Sequence, residues 1–150
     1  MLIRKALLNE ASFLSELSVR SKSYWGYDKK FMKDALEDLT LNPTLIQKNL
    51  VHLCESESNI LGYYAFSENH EPEMTALFVE PNFIGKGVGL KLWQHSLIFA
   101  KSKNWVKFKI VADPFAAKKF YLRLGCQQIG EYQSPVRKGR KLPLLEYILK

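Results

Sequence analysis

The sequence of 150 residues contains little cysteine and no long apolar run. Its two cysteines, Cys54 and Cys126, are too few for a disulfide scaffold and lack metal-ligand spacing. No apolar run approaches the roughly 18–20 residues that a membrane-spanning helix needs, and the polar start is not typical of a signal peptide. Hydrophobic residues make up 47% of the chain, which is enough for a core. These features predict one globular domain over residues 1–150, a cytoplasmic location and no membrane partner.

Positive charge is scarce in the first half of the chain and abundant in the second. The formal net charge is +7, but residues 1–75 carry 8 Lys/Arg against 11 Asp/Glu, whereas residues 76–150 carry 14 against 4. This asymmetry predicts that the second half meets an anion, such as nucleic acid, a phosphorylated cofactor or an acidic surface. A lysine-rich surface that only favours solubility is the alternative.

Hydrophobic periodicity predicts the element order β-α-α-β-β-β-α-β-α-β-β. Asn9 and Asp28 are predicted to cap the first two helices, and Asn42-Pro43 to end the second. The three strands that follow, predicted at 50–55, 60–67 and 73–79, are joined by short polar loops, which favours an antiparallel meander. The helix after Gly87 predicts one parallel crossover. The predicted later elements are helices from Gly87 and at 116–124, and strands at 107–112, 127–132 and 144–149. The fold class is therefore a mixed α/β domain rather than a regularly alternating doubly wound sheet.

Three alternating glycines stand between a predicted strand and a predicted helix. Residues 77–90 read Leu-Phe-Val-Glu-Pro-Asn-Phe-Ile-Gly-Lys-Gly-Val-Gly-Leu. Glycines permit positive φ angles and let an anion approach the backbone closely. The start of a helix adds free N–H groups and a partial positive charge. The segment therefore predicts a phosphate-binding loop, to which Lys86 adds a full charge.

Two other phosphate-binding motifs fit this segment less well. A Walker loop requires a hydroxyl residue where the chain has Gly87 and a glycine where it has Glu80. A dinucleotide-binding fingerprint requires a third glycine where Leu90 stands, although Asp113 ends the next strand as a ribose-binding acid would. A glycine-rich turn without a ligand is the structural alternative.

Two motifs of the chain resemble those of the GNAT superfamily of N-acetyltransferases. Residues 79–89 are similar to its acetyl-CoA motif, Val-x-Pro-x-x-Gln/Arg-Gly-x-Gly-x-Gly/Ala, except that Ile84 replaces Gln or Arg. Residues 113–126 resemble Asn-x-x-Ala-x-x-Phe-Tyr-x-x-x-Gly-Phe, with Asp113 in place of Asn and Cys126 in place of the final residue. The resemblance covers the whole chain in element order. It implies a GNAT-like fold with a mixed sheet of six to seven strands and about four flanking helices.

The resemblance also implies acetyl-CoA as co-substrate and no metal. Phe78 and Val79 would offer backbone groups to the pantetheine arm where a β-bulge splays residues 77–79, and the glycine loop would hold the pyrophosphate. The predicted cofactor-binding residues are Phe78, Val79, Ile84, Gly85, Lys86, Gly87, Val88, Gly89, Leu90 and Asp113.

Two residues are predicted to be catalytic. By resemblance, Tyr121 would lie beside the CoA sulfur and protonate the leaving thiolate as a general acid. Packing in the core is the alternative for Tyr121. Amine acetylation also needs a base, and Glu73 stands where several family members carry a glutamate base. An exposed glutamate at a strand start is the alternative for Glu73.

The acceptor is predicted to bind between the first two helices and the meander. Tyr24, Trp25 and Tyr27 would form its aromatic walls, and the acidic residues Glu68, Glu71 and Glu73 would attract a cationic acceptor. Packing of Tyr24 and Trp25 against the helix end is the alternative.

The sequence thus predicts an acetyl-CoA-dependent N-acetyltransferase acting on a small-molecule or peptide amine. The alternative is a non-catalytic acyl-CoA- or nucleic-acid-binding module. Nucleic acid is disfavoured as a partner because the basic residues are not interleaved with exposed aromatic residues in a stacking platform. A homodimer is possible.

Overall fold

Seven strands form one mixed sheet in the computed structural model, which describes residues 1–115 and 117–150. The strands are β1 (Leu2–Lys5), β2 (Val51–Ser56), β3 (Asn59–Ser67), β4 (Glu73–Val79), β5 (Lys107–Val111), β6 (Gln127–Gln133) and β7 (Lys141–Ile148). Their order across the sheet is β1-β2-β3-β4-β5-β7-β6. Neighbouring strands are antiparallel except β4 and β5, which are parallel. The predicted meander and the single parallel crossover are therefore confirmed.

The described residues form six α-helices. They are α1 (Ala11–Ser23), α2 (Lys29–Asp34), α3 (Leu36–Leu39), α4 (Pro43–Gln47), α5 (Val88–Ser102) and α6 (Lys118–Arg123). Short 3-10 helices lie at Leu8–Glu10 and Pro81–Phe83. The predicted start of the last helix, Ala116, lies outside the described residues. None of the described helices is long and apolar enough to span a membrane.

The helix ends agree with the sequence at one predicted cap and differ at two. Asp28 caps α2 as predicted, since its Oδ1 accepts a hydrogen bond from Phe31 N at 2.7 Å. The prediction for Asn9 is wrong, because Asn9 lies inside the first 3-10 helix. The prediction that Asn42-Pro43 ends a helix is also wrong. Asn42 instead accepts a hydrogen bond from Thr44 N at 3.0 Å and starts α4, whose first turn accommodates proline.

The core lies on both faces of the sheet. The α1 face is the side on which α1 packs, and its buried side chains include Leu14, Leu17, Tyr63, Ala65 and Ala76. The α5 face is the opposite side, where α5 and α6 pack, and its buried side chains include Tyr64, Phe66, Met74, Leu92, Trp93 and Tyr121. Side chains alternate between the two faces along each strand. The strand β4 therefore contributes residues to both faces.

Candidate active site

The parallel strands β4 and β5 pair at two positions and then separate. Glu73 lies opposite Lys109 and Met74 opposite Ile110, whereas β4 continues to Val79. Beyond Met74, β4 therefore has no paired residue in β5, and an opening lies between the two strands. An extended amide chain can form hydrogen bonds with a strand edge of this kind.

A β-bulge lies in β4 beside this opening. Ala65 is paired with Ala76 and Phe66 with Met74, so Thr75 is the extra residue. A bulge bends its strand and increases the local twist. The sequence predicts the bulge at residues 77–79, whereas the structure has it earlier in the strand, at Thr75.

The glycine loop has the geometry of an anion site. Gly85 and Gly87 have φ angles of 80° and 86°, which side-chain-bearing residues rarely adopt, and no atom lies within 4 Å of a Cβ built at either position. The first turn of α5 leaves N–H groups without partners inside the helix, and Lys91 is the first to donate back, to Gly87 O at 3.1 Å. The exposed backbone and the helix start therefore suit a pyrophosphate.

The start of α5 meets the end of β4 and the helix α6 at Gly89. A Cβ built at Gly89 would lie 3.6 Å from the Phe120 ring and 3.8 Å from a Val79 methyl group. Among the other predicted cofactor residues, Val88 is buried in the α5-face core, whereas Leu90 is exposed. Lys86 is exposed, and its Nζ lies 5.6 Å from the centre of the Phe83 ring.

Gly62 in β3 was missed by the sequence reasoning. A Cβ at Gly62 would lie 2.6 Å from the carbonyl oxygen of Phe78, a distance that real Cβ atoms do not adopt. The glycine therefore lets β3 approach the end of β4 that borders the opening. A glycine inside a predicted strand was the available signal, because such glycines often mark a close backbone approach.

Tyr121 lies in α6, on the α5 face, and is 4% exposed. Its ring centre lies 5.8 Å from that of Trp93. Burial raises the pKa of its hydroxyl well above the usual range, so the group is protonated at neutral pH. Tyr121 therefore packs in the core and also carries a hydroxyl proton. Its position is compatible both with a general acid and with a residue that only packs in the core.

Glu73 lies at the closed end of the opening between β4 and β5. It is paired with Ser67 on β3. Met74, the next residue, faces the α5 side, so Glu73 faces the α1 side. With Ser67, Asn69, His70, Glu71 and Lys109 it lines a recess of about 260 Å³. Burial raises the pKa of Glu73, and the nearby Lys109 charge partly opposes this effect. A carboxylate with a raised pKa is better suited to accept a proton near neutral pH.

The two other acidic residues of the predicted acceptor site are paired with lysines. Glu68 Oε2 lies 3.4 Å from Lys103 Nζ, at the end of α5. Glu71 forms an ion pair with Lys109, and this contact lowers the pKa of Glu71. Their charges are therefore partly neutralised within the protein.

Asp113 lies two residues beyond the end of β5 and is the centre of a charged cluster. Its Oδ2 accepts hydrogen bonds from Lys22 Nζ and, at 2.6 Å, from the Tyr27 hydroxyl. Arg140 donates to the same hydroxyl at 2.9 Å and lies 3.8 Å from Asp113. Burial and the Asp113 carboxylate raise the pKa of Tyr27 above its usual range. The cluster connects α1, the end of β5 and the β6–β7 loop.

The predicted aromatic walls fall into two groups. Tyr24 and Trp25 are exposed at the end of α1, with ring centres 5.1 Å apart. Tyr27 instead stacks on Phe31 of α2, with ring centres 4.3 Å apart. Lys22 Nζ lies 4.8 Å from the Tyr27 ring centre.

The two cysteines, His52 and His95 are buried or partly buried. Both cysteines are buried and free, and burial raises the pKa of the Cys126 thiol to about 12. His52 is buried, and His95 Nδ1 lies 2.8 Å from the Tyr64 hydroxyl. Among the described residues, no group of three or more His, Cys, Asp or Glu could hold a metal ion.

A family model described as "Acetyltransferase (GNAT) domain" matches residues 13–139. The chain therefore belongs to the GNAT acetyltransferase family. It is an N-acetyltransferase that depends on acetyl-CoA, and the non-catalytic alternative is not favoured.

The chain is similar in sequence to one N-acetyltransferase and in fold to others. The chain is 26% identical over 134 residues to a 5-NmdU N-acetyltransferase of Pseudomonas phage PaMx11, covering 87% of this chain and 90% of the relative. The fold is similar to that of a PaiA N-acetyltransferase from Thermoplasma acidophilum in complex with coenzyme A, with a TM-score of 0.77, 15% identity and 98% of each chain covered. It is also similar to a ribosomal-protein-alanine N-acetyltransferase from Brucella melitensis, with a TM-score of 0.71, 18% identity, and 99% of this chain and 100% of that chain covered.

Proposed function

We propose that this enzyme transfers the acetyl group directly to an amine at the opening between β4 and β5. Acetyl-CoA supplies an activated acetyl group. The glycine loop at residues 84–90 holds its pyrophosphate, and the free edge of β4 beyond Met74 pairs with the pantetheine amides. The observation that carries this proposal is the continuity of the two features. The end of β4 that is not paired with β5 leads, through the short 3-10 helix at Pro81–Phe83, into the loop with positive-φ glycines.

Glu73 and Tyr121 take the roles of base and acid. Glu73 lies on the α1 face and Tyr121 on the α5 face, so a thioester in the opening would have one on each side. Glu73 accepts the proton of the acceptor ammonium, directly or through water, and the neutral amine then attacks the acetyl carbon. The Tyr121 hydroxyl donates its proton to the departing sulfur.

The acceptor enters from the α1 face, where Tyr24, Trp25 and Tyr27 lie. A small-molecule or peptide amine stays the prediction from the sequence. The phage relative acts on 5-NmdU by its name, so 5-NmdU is the first acceptor to test beside simple amines. The cytoplasmic location and the homodimer also stay predictions.

Release of free thiol from acetyl-CoA in the presence of an amine panel tests the proposal. Tyr121→Phe should lower kcat by roughly 10²-fold with little loss of CoA affinity, because only the proton donor is removed. An unchanged kcat would show that the Tyr121 hydroxyl is not the proton donor and that Tyr121 only packs in the core.

Glu73→Gln and the matched change Glu71→Gln test the base. The acidic limb of the parent pH profile should lie above the ordinary glutamate value, because burial raises the pKa of Glu73. Glu73→Gln should lower kcat and remove this limb. Glu71→Gln should leave kcat unchanged, because Glu71 is exposed and paired with Lys109. If both variants keep the parent profile, Glu73 is not the base.

A further inference from the structure

Eight cationic residues are carried by the end of α1, by α2 and by residues 137–141, and contacts of Lys22, Arg137 and Arg140 bring these segments together. We call this surface the basic rim, and its members are Lys22, Lys29, Lys30, Lys33, Arg137, Lys138, Arg140 and Lys141. The carboxylates among them are Asp28, Asp34 and Asp113, so the surface has a net charge of +5. Arg137 lies 3.5 Å from Asp28, and both Arg137 and Arg140 lie within 5.3 Å of the Phe31 ring centre. These contacts hold the β6–β7 loop against α2.

Exposed aromatic residues lie on the segments that carry these cations, and Lys22 and Arg140 lie over the Tyr27 ring. Tyr24 and Trp25 are 54% and 44% exposed, and both follow Lys22 within three residues. Phe115 is 77% exposed, and its ring centre lies 6.5 Å from that of Tyr27. Cations next to exposed rings can bind phosphates and stack bases at once. The sequence does not show a stacking platform, but the fold brings Arg137 and Arg140 against the aromatic residues that follow Lys22.

The basic rim borders the opening of the proposed active site. Asp113, which joins Lys22 to Arg140, follows the end of β5 where that strand has separated from β4. Phe78 of β4 packs in the same cluster as Tyr27 and Val136 of the β6–β7 loop. A molecule held by the basic rim is therefore beside the unpaired end of β4, on the α1 face.

We infer that the acceptor amine is carried on a nucleotide, whose phosphate binds the basic rim and whose base stacks on the exposed rings. This inference rests on the proposed function and specifies its substrate class. The acidic residues expected to attract a cationic acceptor do not oppose it, because Glu68 and Glu71 are paired with lysines. Surrounding cations also lower the pKa of an acceptor ammonium, which favours the neutral nucleophile.

Binding to a fluorescein-labelled oligothymidylate of about ten nucleotides, followed by fluorescence anisotropy, tests the inference. The protein is first saturated with CoA, so that the cofactor site is occupied. We expect saturable binding that weakens with salt, by about 2.6-fold per phosphate contact between about 50 and 200 mM. If thymidine monophosphate competes with the oligonucleotide, a free nucleotide is sufficient for binding. If it does not compete, binding requires a nucleic-acid strand.

Variants distinguish the basic rim from the charge of the whole chain. Lys138→Gln with Lys141→Gln should weaken binding by roughly three- to tenfold and reduce the salt slope by about 1.4. The matched pair Lys5→Gln and Lys101→Gln makes the same charge change on β1 and at the end of α5, and it should leave binding unchanged. Trp25→Ala should weaken binding by roughly fivefold or more. Phe13→Ala, which removes a comparably exposed ring near the start of α1, should not.

Three results would overturn the inference. They are no binding at low salt, loss of binding when CoA is added, and equal effects of the rim and control lysine pairs. Failure of the inference is distinguishable from failure of the proposed function. A protein that releases thiol with simple amines but does not bind the oligonucleotide retains its acetyltransferase activity and lacks a nucleotide acceptor.

Discussion

His52 should make the stability of this protein sensitive to mild acid. It lies on β2, is 5% exposed, and its Nδ1 has no hydrogen-bond partner among the described residues. Its ring stacks on Tyr64 with centres 5.2 Å apart, and His95 lies 5.0 Å away. Burial lowers the pKa of His52 from 6.5 to about 4, and the charges of His95 and Lys5 add to this effect.

The sign and size of the effect follow from proton linkage. The folded state binds the His52 proton less tightly than the unfolded state. The free energy of unfolding that neutral His52 contributes is therefore fully present above pH 6.5, and it is lost as the pH falls through the folded pKa of about 4. For these two pKa values, His52 alone should cost about 2 kcal/mol of stability between pH 7 and pH 5.

Urea unfolding at the two pH values, followed by circular dichroism, measures this loss. His52→Phe keeps an aromatic ring in the stack and removes the titration. We expect the free energy of unfolding of the variant to fall by about 2 kcal/mol less than that of the parent over this interval. Equal losses in both proteins would refute the reasoning, because His52 would then have an ordinary pKa in the folded state.

Three further substitutions test the site. Gly62→Ala should weaken CoA binding, because the added Cβ would displace the Phe78 carbonyl at the free end of β4. Calorimetry measures the affinity, and an unchanged affinity would contradict this prediction. Gly87→Asp should abolish the rise in Tm that CoA causes, whereas Gly139→Asp, at a similar φ of 83°, should retain it. Asp113→Asn should lower the free energy of unfolding by about 2 kcal/mol, because Lys22 and Arg140 lose a shared carboxylate. A free energy of unfolding equal to that of the parent would show that the charged cluster does not stabilise the fold.

The fold could be predicted largely from the sequence because its signals are local. Apolar alternation gives the strands, and β4 has the predicted bounds, Glu73–Val79. The errors occurred at Asn9, which lies inside a 3-10 helix instead of capping α1, and at Asn42, which starts α4 instead of ending the preceding helix. The predicted position of the bulge was wrong, because its position at Thr75 depends on the register between β3 and β4.

The glycine loop was the part of the site that the sequence by itself determined. Gly85 and Gly87 have positive φ angles that only a few residue types adopt readily, so the backbone requirement is recorded in the residue type. The partners of the charged residues were decided only by the tertiary structure. Glu68 is paired with Lys103, 35 positions away, and Lys22 with Asp113, 91 positions away. An ion pair depends on which strands and loops become neighbours, and the sheet order places the end of β5 and the β6–β7 loop against α1 and α2. For this reason the two basic segments of the rim are visible in the sequence, whereas their contact is visible only in the fold.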